Sequence, residues 1–89
     1  MNRTEFLSLC SGRFRHAEVD KIKIAYLLAK RIHKGQTRKA ELDADGQPIR
    51  YFEHVRRVAL NVLNAGATHH RLIIAALLHD SIEDAEEIE

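Results

Sequence analysis

The chain has 89 residues, which limits it to one small domain burying only about 60% of its unfolded surface. A composition of 45% hydrophobic and 30% charged residues with a single proline is typical of a soluble helical domain and excludes a disordered chain. One cysteine excludes an internal disulfide, and no apolar run approaches the roughly 20 residues of a membrane span, so we expect a cytoplasmic protein without membrane contact.

The net charge of +1 hides an uneven distribution along the chain. Residues 21–57 contain ten Lys or Arg and four acidic residues, whereas residues 79–89 contain six acidic residues and no Lys or Arg. This distribution predicts a polyanion bound beside an acidic cluster, although a solvated basic face explains the charges equally well. Aromatic residues do not alternate with the basic ones, so direct DNA binding is not expected.

Apolar spacing predicts two helices in the first third of the chain. The first runs from Thr4, as its cap, to about Cys10, and the second covers about residues 17–33. The predicted buried stripe of the second helix is Ile24, Leu27, Leu28 and Ile32. His33 in its last turn is expected to cap the helix rather than to bind a ligand, and Gly35 can close it in a left-handed conformation.

A long loop is predicted next, because residues 35–50 show no sustained period and contain Asp45-Gly46 and Pro48. Loops of this length are usually functional or disordered, and Arg38 and Lys39 provide this one with binding groups. A third helix is predicted from about Tyr51 to Asn64, with His54 near its start. A lone histidine at such a position is more often structural than a ligand.

The stretch 72–78 contains seven consecutive apolar residues, which predicts a central helix covered on all sides. Thr68 is predicted to cap this helix. His69 and His70 would then lie exposed in its first turn, without an assigned function.

Four ionisable residues follow this apolar run: His79, Asp80, Glu83 and Asp84. Their spacing puts them on a shared helix face, and buried carboxylates require compensation, which a divalent cation can supply. Imidazole and carboxylate together suit Mn, Fe or Zn, and the number of oxygen donors favours Mn. The alternative is an ordinary helix end, where the histidine balances the helix dipole and the acids face water.

Three segments of the chain form one motif pattern when they are considered together: HKGQTRK at 33–39, YFEH at 51–54 and LLHDSIED at 77–84. In this order and spacing they resemble the hydrolase domain of the RelA/SpoT homologue family, alarmone-handling proteins of the HD phosphohydrolase superfamily. The resemblance covers about residues 22–84. It implies an all-α, HD-domain-like helical bundle, of which residues 1–89 form a partial domain, the amino-terminal portion with about four helices.

The resemblance also implies a metal centre. Family members hold one Mn²⁺, for which Zn²⁺, Fe²⁺ and Mg²⁺ are alternatives, and the matching ligands here are His54, His79 and Asp80. Glu83 and Asp84 match the acidic pair that handles the attacking water. The position of His54 in the motif thus reverses its ordinary interpretation as a structural residue.

Arg38 and Lys39 match the family's nucleotide-contacting loop. The implied reaction removes the 3′-pyrophosphate from guanosine tetra- or pentaphosphate, giving pyrophosphate and GDP or GTP. Another nucleotide as substrate, or an inactive nucleotide-binding and dimerising remnant, are the alternative hypotheses.

Two departures from the family pattern affect these expectations. Val55 stands where the family usually has proline, a change that still permits helix entry. The chain also ends before the helix that carries a further aspartate ligand in the family. We therefore expect a piece of a larger domain, or else a short remnant that covers its apolar helix by forming a homo-oligomer.

Overall fold

Four helices and one short hairpin make up the computed structural model, which describes the backbone of residues 1–88 and the side chains of residues 1–37 and 42–79. The helices are α1 (Arg3–Ser11), α2 (His16–Ile32), α3 (Tyr51–Asn64) and α4 (His70–Ile88), and the strands are β1 (Thr37–Leu42) and β2 (Pro48–Arg50). The predicted all-α class is confirmed. Helices α2, α3 and α4 begin within one residue of their predicted starts, whereas α1 begins two residues earlier than a Thr4 cap predicts.

Local signals explain where α1 begins and where α2 ends. The side chain of Asn2, not the predicted Thr4, caps α1 by accepting a hydrogen bond from the backbone N–H of Glu5 at 2.9 Å. After α2, Gly35 adopts a φ of 83°, the left-handed conformation expected from the sequence.

The prediction of a long loop over residues 35–50 was wrong, because β1 and β2 pair there as an antiparallel hairpin. The Asp43 carboxylate accepts hydrogen bonds from the backbone N–H groups of Asp45 and Gln47, both at 2.9 Å. Gly46 supplies a φ of 77° in the same turn. The Asp-Gly turn therefore brings its two flanking segments together, although neither shows the alternation of a typical strand.

The buried face of α2 also differs from the predicted one. Ile24, Leu27 and Leu28 are 67%, 39% and 47% exposed. The buried residues of this helix are Ile22, Ala25, Tyr26 and Ala29. Tyr26 decides the orientation, because its ring packs between those of Phe6 and Phe52, with centroid distances of 5.4 and 4.8 Å.

Helix α4 is central, as predicted, because it packs against both α2 and α3. It is not covered on all sides: Ile73 and Leu77 are fully buried, whereas Leu72 is 50% exposed. Its burial follows a helical stripe even though its sequence is apolar throughout this stretch. The homo-oligomer expected to cover it stays a prediction. Within residues 1–88, no helix combines the length and apolar character needed to cross a membrane.

A buried polar network ties α2 to α3. Arg56 donates a hydrogen bond to the Tyr26 hydroxyl at 3.0 Å and forms an ion pair with Glu53, which also binds Arg50 at 2.8 Å. Burial alone would raise the pKa of Glu53, but the hydrogen bond from Arg50 and the charge of Arg56 outweigh it and lower that pKa below its usual value. The network therefore keeps the buried guanidinium paired.

Replacing Tyr26 by phenylalanine should destabilise the fold by about 1.5–3 kcal/mol, because a charged, buried donor of Arg56 loses its acceptor. Urea unfolding monitored by circular dichroism measures this free energy. A loss below about 0.5 kcal/mol would mean that water replaces the hydroxyl and that the network is not desolvated.

Candidate functional site

The residues singled out from the sequence lie on three elements. Arg38 and Lys39 are on β1, His54 is in the first turn of α3, and the remaining four are on α4: His79, Asp80, Glu83 and Asp84. The structure describes the side chains of both histidines. The other five side chains lie outside the described residues, so the roles expected for them stay predictions.

His54 and His79 lie on neighbouring helices, at similar numbers of residues from the connection between them. Residues 65–69 connect α3 to α4, and the two helices pack against each other as a helical hairpin. With a rise of about 1.5 Å per residue, His54 lies roughly 15 Å before the end of α3 and His79 roughly 14 Å after the start of α4. Similar distances from the connection are a condition for both imidazoles to bind one ion.

The imidazole of His79 is held by its own helix. Its Nδ1 lies 2.7 Å from the carbonyl oxygen of Ala76, and because a carbonyl can only accept, Nδ1 carries the donated proton. In the neutral ring the lone pair then belongs to Nε2. Metal-binding histidines commonly show this arrangement, in which a backbone carbonyl fixes the tautomer and the ring orientation.

The donor set suits a divalent metal. Among the side chains of residues 1–37 and 42–79, no three His, Cys, Asp or Glu residues form a group that could hold an ion. Only His54 and His79 of the predicted ligands fall in that range, and the third, Asp80, directly follows His79. Two imidazoles and one carboxylate are ligands that Mn, Fe and Zn accept, so the residues present fit such an ion.

A row of aromatic rings beside His54 was not predicted from the sequence. Tyr51 stacks on His33 with a centroid distance of 4.7 Å and meets His54 edge-on at 5.8 Å. His33 forms the C-cap of α2, as predicted, and it is only 2% exposed. Nδ1 of His33 binds Oε1 of Gln36 at 2.9 Å. The glutamine three residues after His33 in the HKGQ segment was therefore the feature of the sequence that could have indicated a fixed histidine ring here.

The two histidines at the start of α4 differ in exposure. His69 is exposed as expected, but His70 is buried, because it precedes Ile73 by three residues on the face that packs into the core. Nδ1 of His70 lies 3.0 Å from Oε2 of Glu18, within ion-pair distance but at an angle unsuited to a hydrogen bond. The pKa of Glu18 is lowered, first by the hydrogen bond from the backbone N–H of Arg15 and then by the charge of His70.

The structure thus places one histidine on each helix of the α3–α4 pair, and an aspartate directly follows the second histidine in the sequence. Over 72 residues, or 81% of its length, the chain is 43% identical to a guanosine-3′,5′-bis(diphosphate) 3′-pyrophosphohydrolase of Aquifex aeolicus (strain VF5). This similarity agrees with the resemblance to the RelA/SpoT homologue hydrolases that the sequence motifs indicated. The chain spans only 9% of the Aquifex protein. No family model and no solved structure matches it.

Proposed function

We propose that this chain is part of an HD phosphohydrolase domain that removes the 3′-pyrophosphate from guanosine tetra- or pentaphosphate. The proposal is carried by the location of His54 and His79 on two helices that pack against each other, at similar numbers of residues from their connection. The activity named for the Aquifex relative suggests the substrate.

The proposed ligands of Mn²⁺ are His54, His79 and Asp80. A bound divalent ion supplies Lewis acidity, which lowers the pKa of the attacking water and polarises the phosphoryl oxygen. Glu83 is one helical turn beyond Asp80, so its carboxylate is our choice for the base that accepts the proton of that water. Asp84 completes the acidic pair. Attack of this water on the phosphorus attached to the 3′ oxygen would form the new O–P bond and break the O3′–P bond. Pyrophosphate would be released, and the 3′ oxygen would take up a proton from solvent to leave GDP or GTP.

Arg38 and Lys39 are proposed to bind the polyphosphate. The hairpin supports this role, because Thr37 pairs with Arg50, the residue directly before α3. The strand that carries both cations therefore starts beside the helix end that carries His54. Cations in this position can bind the pyrophosphate group and screen its negative charge while water attacks the phosphorus.

The test is pyrophosphate release from guanosine tetraphosphate with and without added Mn²⁺. We expect release to depend on Mn²⁺, and we expect Arg38→Ala to reduce turnover of this substrate about 10- to 100-fold, the value of one charged hydrogen bond of about 1.5–3 kcal/mol. Turnover of p-nitrophenyl phosphate should change little. Lys23→Ala on α2, which removes a cation far from the proposed site in sequence, is the control for loss of charge.

The outcomes separate the competing functions. An equal loss on both substrates in Arg38→Ala would favour a phosphohydrolase acting on another substrate. Absence of release at every Mn²⁺ concentration, with guanosine tetraphosphate still bound, would overturn the enzymatic proposal and leave a nucleotide-binding module.

A further inference from the structure

The HKGQ segment forms a closed turn between α2 and β1. The backbone N–H of Gln36 donates to the carbonyl of His33 at 3.0 Å, and Nδ1 of His33 donates to the side-chain oxygen of Gln36 at 2.9 Å. His33 and Gln36 are thus joined by two hydrogen bonds, one between their backbones and one between their side chains. Because the His33 ring is almost completely buried, its orientation is fixed on the side of the core as well.

This turn is attached to the first residue of α3 in two ways. The backbone N–H of Tyr51 donates to the carbonyl of Gln36 at 2.9 Å. The Tyr51 ring stacks on His33 with an interplanar angle of 28°. An N–H in the first turn of a helix has no partner within its own helix, so Gln36 satisfies a donor of α3 and fixes where the helix begins.

Tyr51 then contacts His54 on the same helix. The two rings meet at an interplanar angle of 70°, an edge-on geometry that aromatic pairs favour, at the i, i+3 spacing of helix neighbours. The path from the turn to the proposed ligand is therefore continuous: His33 orients Tyr51, and Tyr51 limits the rotamers of the His54 imidazole.

We propose that Tyr51, supported by the His33–Gln36 turn, is a positioning residue that holds the His54 imidazole in the orientation needed to bind a divalent metal ion. The inference rests on the proposed metal site. It assigns a role to Tyr51, His33 and Gln36, none of which is a proposed ligand. Groups that orient a metal ligand usually contribute 10- to 100-fold to metal affinity, and a ring contact without a hydrogen bond belongs at the lower end, about 10-fold.

The experiment compares Mn²⁺ affinity in the full chain, by titration of free Mn²⁺ with electron paramagnetic resonance, for the unmodified protein, Tyr51→Phe, Tyr51→Leu and His54→Ala. We expect Tyr51→Phe to bind within about twofold of the unmodified protein, because the ring contacts remain. Tyr51→Leu should lose about 10-fold in affinity, and its turnover should recover at saturating Mn²⁺. A merely structural role would not separate affinity from saturated turnover in this way.

Two different results would overturn the inference, and they are distinguishable. If His54→Ala abolishes binding while Tyr51→Leu binds as tightly as the unmodified protein, the positioning role is wrong and the metal site stands. If the unmodified protein itself binds no Mn²⁺, the metal site fails and the positioning role fails with it. Should Tyr51→Leu unfold, Gln36→Leu replaces it, since Gln36 is exposed and its loss removes the hydrogen bond that helps to orient the His33 ring. Unchanged affinity in that folded variant would equally overturn the inference.

Discussion

Replacing His79 by alanine is expected to abolish Mn²⁺ binding and pyrophosphate release together. His79 is the proposed ligand whose orientation is fixed most directly, by the hydrogen bond from its Nδ1 to the carbonyl of Ala76. Since loss of a group that only orients a ligand already costs 10- to 100-fold, loss of the ligand itself should reduce affinity by more than about 100-fold. Calorimetric titration with Mn²⁺ measures the affinity, and a coupled pyrophosphate assay measures release.

The chain offers a matched control for this substitution. His69 lies just before α4 and is exposed, so His69→Ala removes an imidazole without affecting the proposed centre. It should leave both affinity and turnover unchanged. Retention of Mn²⁺ binding in His79→Ala, or an equal loss in His69→Ala, would remove His79 from the ligand set.

Glu83→Gln is expected to lower kcat about 10²- to 10⁴-fold, the usual contribution of a general base, while metal affinity changes little. The amide keeps the size of the side chain but cannot accept the proton of the attacking water. Single-turnover measurements at saturating Mn²⁺ isolate this step from binding.

Glu86→Gln provides the comparison, because this residue lies on the same helix three residues further on and outside the HDSIED segment. Its turnover should match that of the unmodified protein. If both glutamine variants lost the same activity, or if Glu83→Gln lost none, the base would have to be sought elsewhere, with Asp84 as the first candidate.

Helix boundaries were predictable from the sequence because they depend on local signals. Gly35 and the apolar periodicity of residues 51–64 lie within a few residues of the ends they determine. The buried face of α2 was not predictable in this way. That helix has apolar residues on two faces, and the choice depends on Phe6 and Phe52, which are distant in sequence and pack on Tyr26.

In the candidate site, too, local features could be predicted from the sequence and contacts between distant elements could not. The spacing of His79, Asp80, Glu83 and Asp84 on one helix follows from the sequence alone, since residues three and four apart are neighbours on successive turns. The contact between His33 and Tyr51 joins two elements across a hairpin that the sequence did not predict. The support that Tyr51 receives from His33 on another element can therefore be identified only once the fold is known.

The most direct test of the metal centre is a crystal structure of the chain grown with Mn²⁺, with diffraction data collected at the manganese absorption edge. We expect an anomalous peak between α3 and α4, at about 2 Å from a ring nitrogen of His54, a ring nitrogen of His79 and a carboxylate oxygen of Asp80. A structure at saturating Mn²⁺ with no peak there, and with the His54 ring turned away from His79, would contradict it.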